Sequence, residues 1–285
     1  MELGTDVLPG IVVDAAWLAE HTEQVVTADV RWYLDGRSGR AAYDAGHLPG
    51  AVFVDLDAAL SNHDDADPTH GRHPLPAPAA FAAALGALGI GDDTPVVAYD
   101  DAGGGVAGRL VWMLRAQGTP AALLDGGMRA WTSPLEVGGT ATRAAARRTD
   151  RPWPAAALAT AAEIDGGAPG RVLLDARAPE RYRGETEPVD PRAGHIPGAR
   201  NLPVGRVLDS ETGRLASPAT LRERFAAAGV TSGADVVASC GSGVSACILL
   251  IAMEHAGLGA GRLFVPSFSG WASDADRTVA SGATP

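Results

Sequence analysis

Cysteine is nearly missing from this sequence: there are two in 285 residues, at positions 240 and 247. A pair so close together cannot staple a chain of this length, and no Cys/His grouping has the spacing of a zinc site. Disulfide frameworks and zinc modules are therefore excluded. The thiols are expected to be reduced, in a cytoplasmic protein. Positive charge is also short, with 23 Lys and Arg against 34 Asp and Glu, a net charge of −11. Such a field repels nucleic acid and anionic membrane surfaces, so neither is expected as a partner. No apolar run approaches the ~20 residues of a membrane span. The opening "MELGTDVLPG" lacks a basic stretch followed by an apolar one, so secretion is not expected. His63, His70 and His73 stand among aspartates, where a solvated polar loop is a better reading than a metal site. What remains is ordinary globular composition, 46% apolar and 20% charged. The length suits one large or two average domains.

The chain repeats itself. "YDAGHLPGAVFVDL" (43–56) resembles "PRAGHIPGARNLPV" (191–204), "PVVAYDDAGGGVAG" (95–108) resembles "DVVASCGSGVSACI" (235–248), and "ALLDGGMRAW" (122–131) resembles "RLFVPSFSGW" (262–271). Three blocks in one order imply a duplicated domain. The first copy is eight residues longer between its first two blocks, around "SNHDDADPTHGRHPLPAP". The biased stretch 140–160 contains the expected linker, which predicts domains at 1–145 and 146–285. In each copy short, fully apolar β-prone runs flank a helical stretch, as in parallel strands covered on both faces. Gly118 and Gly257 stand where helix caps are needed. The expected fold class is α/β: two tandem domains, each a mainly parallel sheet flanked by helices, with ligands at the strand ends.

In the first copy Gly103, Gly105 and Gly108 spell G-x-G-x-x-G, and Asp125 follows about where a dinucleotide site needs an acid. Asp100 and Asp101 at the loop entrance would repel a pyrophosphate, so a tight structural turn is the expected reading. The second copy has Cys240 at the position of Asp100, followed by Gly241, Ser242, Gly243, Val244 and Ser245, and then a helix. Successive backbone N–H groups and a helix N-terminus stabilise a thiolate there. Cys247 lies inside an apolar helix and reads as inert core. A C-x5-R phosphatase needs arginine at position 246, which is Ala246, and G-x-S-x-G is absent from the loop.

The loop "CGSGVS", the paired "AGHLPGA" and "AGHIPGA", the "DAR…RYRG" segment and the closing "GWASDADRTVASG" together resemble the tandem rhodanese family of sulfurtransferases, over nearly the whole chain. The resemblance implies a non-catalytic N-terminal domain, in keeping with Asp100, and a catalytic C-terminal one. It implies no cofactor, a small-molecule sulfur donor, and a thiol acceptor such as reduced thioredoxin. The small neutral loop is similar to the 3-mercaptopyruvate branch. Thiosulfate:cyanide sulfurtransfer and a non-catalytic binding module remain the alternatives. By motif position the resemblance makes Arg181 the ligand of the donor carboxylate, with Arg192 a possible second one, and leaves Arg177 to brace the domain. It further implies a relay of Ser242, His73 and Asp57, the last two from the first copy. The loop residues Gly241, Gly243, Val244 and Ser245 would line the donor site.

Overall fold

The computed structural model describes residues 7–139, 143–165 and 170–285. The first three residues of the expected linker stretch, 140–142, lie outside them. The chain forms two compact units that do not follow the sequence halves. The first comprises residues up to Leu60, Pro76–Trp153 and Glu211–Arg214; the second comprises Ser61–Leu75, Pro154–Ser210 and Leu215–Pro285.

The first unit holds strands β1 (Val12–Val13), β2 (Val26–Asp29), β3 (Val52–Phe53), β4 (Val96–Tyr99) and β5 (Ala121–Leu124). They form one parallel sheet in the order β1-β5-β4-β2-β3, with Val26 opposite Val96 and Val97 opposite Ala122. β2, β4 and β5 are buried throughout, so their residues show no polar alternation. The second unit holds β6 (Val172–Asp175), β7 (Arg200–Asn201), β8 (Val236–Ser239) and β9 (Arg262–Leu263), parallel in the order β7-β6-β8-β9. The helices Ala107–Ala116 and Ala246–His255 follow β4 and β8 and are buried along most of their length. Gly118 and Gly257 adopt φ of 82° and 75° just past their ends, the left-handed turn that a side chain resists. Among the described residues no helix is long and apolar enough to cross a membrane.

The duplication extends further than the sequence blocks. In the first unit Arg31 forks onto Asp29 and reaches the carbonyl of Gly46; in the second Arg177 forks onto Asp175 and reaches the carbonyl of Gly194. Tyr43 stacks on His47 and donates its hydroxyl to Ala51, as Tyr182 does with His195 and Ala199. The repeated glycine-proline blocks thus form part of an aromatic and ion-pair brace in each unit.

Two departures from expectation matter for the site. The extra segment of the first copy, residues 61–75, belongs to the second unit. It turns through the 3-10 helix Pro68–His70, and the N–H of Arg72 donates to Ser269 Oγ at 3.1 Å. The described part of the expected linker, up to Trp153, is packed on the first unit: Ala146 donates to the carbonyl of Gly86, and Arg151 to that of Gln117.

Candidate active site

β8 ends at Ser239, and the chain turns at Cys240 into the loop that opens helix Ala246–His255. Cys240 is 1% exposed. Its Sγ accepts the N–H of Gly243 at 3.1 Å, and its own N–H donates to Ser267 Oγ at 3.1 Å. The carbonyls of Cys240 and Gly241 accept from Phe268 and Ser269, so helix Ser267–Ser273 fastens the loop from outside. Gly243 has φ of 75°, the turn that brings its N–H back onto the sulfur. Gly241 keeps the space in front of two arginines open. A β-carbon there would lie 3.0 Å from Nη2 of Arg72 and 3.7 Å from Nη1 of Arg181. Ser242 and Val244 are buried beside the thiol. Ser245 precedes the first helical residue without a side-chain cap bond. Cys247 lies within the helix with its S–H toward the carbonyl of Gly243.

Ser267 is the one non-glycine residue with positive φ among those described, at 52°. Its hydroxyl donates to the carbonyl of Phe264 while accepting from Cys240. A left-handed serine costs on the order of 1 kcal/mol, which these two buried bonds offset. Ser267→Ala leaves the Cys240 N–H buried without an acceptor and is expected to lower stability by about 1–2 kcal/mol in urea unfolding. A change below about 0.3 kcal/mol would mean the hydroxyl has no holding role.

The same loop in the first unit is filled from within. Asp100 Oδ1 accepts the N–H groups of Ala102 and Gly104, and Oδ2 those of Val106 and Ala107, all at 2.8–2.9 Å. The loop amides that would have to face a pyrophosphate are turned onto a resident carboxylate instead, so the G-x-G-x-x-G pattern of Gly103, Gly105 and Gly108 is a turn.

An ion-pair cluster stands beside the cysteine loop. All 23 cationic side chains of the protein are arginine, and three of them meet here. Arg177 grips Asp175 with Nε and Nη2, reaches Glu187 with Nη1, and lies over the Phe268 ring at 3.8 Å. Arg181 donates to Glu187 through Nε (3.3 Å) and Nη2 (2.6 Å), and to Asp190 through Nη2 (3.0 Å). Arg72 pairs with Asp190 through Nη1. Three guanidiniums thus face three carboxylates. Burial works against charge on Glu187, but bonds from Arg181 and from the N–H groups of Asp190 and Val189 outweigh it and hold the group below the usual carboxylate range. At Asp190 burial prevails over Arg72 and Arg181, with Glu187 adding to it, and the group is pushed up.

The structure thus brings Cys240, Ser242, Arg177 and Arg181 into one unit, together with His73. His73, expected from the first copy, belongs to the second unit through segment 61–75; it is buried, with its ring edge-on to His63 at 6.2 Å. Asp57 belongs to the first unit, where Oδ2 accepts Trp32 Nε1–H at 3.0 Å; the cap of its helix is Asp55. Arg192 does not carry over as a second substrate arginine. Its guanidinium is bonded to the carbonyls of Trp271, Ala272, Asp274 and Arg277, and ties down that turn. His70 pairs with Asp65, and among the described residues no group of three or more side chains could hold a metal. Arg72, Glu187, Asp190 and Ser267 were not legible as site residues, although Arg72 adjoins His73 in "GRHPLP" and Asp190 sits nine positions after Arg181.

Known proteins resemble this chain in sequence and fold. A family model described as "Rhodanese-like domain" matches residues 14–134 and again 158–274. SseB of Mycobacterium tuberculosis, provisionally named a thiosulfate sulfurtransferase, is 42% identical over 95% of this chain and 97% of its own. A Pseudomonas aeruginosa protein, provisionally named a 3-mercaptopyruvate sulfurtransferase, is also 42% identical, over 94% and 95%. The crystal structure of SseA from Escherichia coli, described among the 3-mercaptopyruvate sulfotransferases, superposes with a TM-score of 0.77 at 30% identity, over 90% of this chain and 98% of that one. This chain belongs to the rhodanese family and carries two rhodanese-like domains.

Proposed function

We propose that this sulfurtransferase moves a sulfane sulfur from 3-mercaptopyruvate to a thiol or to cyanide through a persulfide on Cys240. One observation carries the reading: the loop of the second unit turns an amide onto a free thiol, whereas the loop of the first is saturated by Asp100. The first domain is accordingly read as non-catalytic. The Cys240 thiolate attacks the donor sulfur, an S–S bond forms, and the donor C–S bond breaks with its electron pair passing into the enolate of pyruvate. Loop amides at Gly243, Val244 and Ser245 support charge on the outer sulfur. Ser242, with His73 of the same unit as its partner in the relay, supplies the proton that completes pyruvate. The assignment of Asp57 to this relay rests on its motif alone. An acceptor thiolate, such as that of a reduced thioredoxin in the cytoplasm, then takes the outer sulfur.

Relatives of equal identity bear the names of different donors, so the local charge decides. The loop 241–245 has no cationic side chain, and the arginines beside it are matched one for one by carboxylates. A donor with a single carboxylate suits that balance better than dianionic thiosulfate. Intact mass after brief exposure to each donor tests this, with Cys240→Ser as control. One added sulfur from 3-mercaptopyruvate, absent in the control, is expected. Addition from thiosulfate alone would reassign the donor, and addition from neither would leave a binding module.

A further inference from the structure

Arg72 has donors to spare at the place where the donor must sit. Its Nη1 is committed to Asp190, and among the described residues Nε and Nη2 have no acceptor, Nε being buried. Those two atoms form the side-on edge of a guanidinium, the edge that matches both oxygens of a carboxylate. Arg177 shows the same edge in use, gripping Asp175 with Nε and Nη2. In Arg181 this edge is spent on Glu187, which leaves Nη1 as its contribution to a ligand. Nη2 of Arg72 and Nη1 of Arg181 both approach Gly241, the residue next to the nucleophile. Arg72 is also the more open of the two, 29% against 17% exposed.

We infer that Arg72, delivered by segment 61–75 and oriented by Asp190, is a donor-binding residue that grips the carboxylate of an α-keto acid donor through Nε and Nη2, with Nη1 of Arg181 assisting. Asp190 acts as the positioning residue: it fixes Nη1 and leaves Nη2 at the loop. The inference rests on the donor reading above and changes it in one respect, since the leading carboxylate ligand is Arg72 rather than Arg181.

Two measurements on the full chain separate the two readings. The first is steady-state sulfur transfer from 3-mercaptopyruvate by Arg72→Gln. Loss of a bidentate charged contact is expected to lower kcat/KM roughly 10- to 100-fold, chiefly through KM. Arg72→Lys, which keeps the charge without the fork, is expected to recover only part. The second is alkylation of Cys240 by iodoacetate and by iodoacetamide, which differ in carrying a carboxylate. Arg72→Gln is expected to lower the ratio of the two rates about tenfold or more, whether or not 3-mercaptopyruvate is the donor. An unchanged ratio together with an unchanged KM would overturn the role of Arg72. A fallen ratio in a protein that accepts no sulfur from 3-mercaptopyruvate would keep the carboxylate site and remove the donor assignment instead.

Discussion

Cys240→Ser transfers sulfur from 3-mercaptopyruvate about 10⁴-fold more slowly than the wild-type protein, or slower still. The reaction needs an ionised, polarisable nucleophile that can carry a second sulfur and then release it. A serine hydroxyl has no ionised fraction of use at neutral pH, and an O–S bond does not store a sulfane sulfur in a form that a thiol can collect. The geometry around the residue survives the change, because the Gly243 N–H keeps an acceptor and the backbone bonds from Phe268 and to Ser267 do not involve the side chain. The loss is therefore expected with a melting temperature within a few degrees of wild type, and it is chemical rather than structural. Cys247 cannot stand in, since it is fully buried in helix Ala246–His255 with its S–H directed at the carbonyl of Gly243. Steady-state rates with cyanide as acceptor, together with intact mass, check this. Ping-pong kinetics in the wild type belong to the same expectation, and residual turnover within tenfold in the serine variant would remove Cys240 from the chemistry.

Asp100→Ala unfolds the first unit at markedly lower urea, with a loss of about 4 kcal/mol. Four backbone N–H groups converge on one carboxylate that is 1% exposed. Alanine leaves all four without that acceptor; the N–H of exposed Ala102 can turn to water, but those of Gly104, Val106 and Ala107 are buried, and each buried unsatisfied donor costs about 1–3 kcal/mol before relaxation. Asp100→Asn separates charge from hydrogen bonding: its single carbonyl oxygen serves two of the four, so a loss between zero and that of alanine is expected. An alanine variant within 1 kcal/mol of wild type would sink the view that Asp100 holds this loop. The comparison also bears on why the first copy has no nucleophile: its anion cradle is in use as structure.

Much of this was legible before the fold was known, and for identifiable reasons. The parallel α/β architecture showed in the unbroken apolar runs of β4, β5 and β8, because a strand covered on both faces has no polar side to show. Cys240 showed in the repeat, since a thiol opposite Asp100 in an otherwise matching loop has no packing reason to be there. Gly118 and Gly257 announced the helix ends. Arg72 did not show, because its partners Asp190 and Gly241 lie more than a hundred residues away and no local period connects them. Arg192 misled for the converse reason: it is near Arg181 in sequence, yet its guanidinium is consumed by the carbonyls of 271–277. Ser267 was hidden in an apolar-looking stretch, where only its φ and its bond to the Cys240 amide set it apart.

Segment 61–75 also limits how this protein can be inherited in pieces. A reading frame divided after Trp153 would put the nucleophile, its loop and Arg181 on one product, and Arg72 and His73 on the other. The halves are therefore not interchangeable cassettes, although they arose by duplication. A recombinant that joins the N-terminal half of one relative to the C-terminal half of another inherits its anion-gripping fork from one parent and its sulfur carrier from the other.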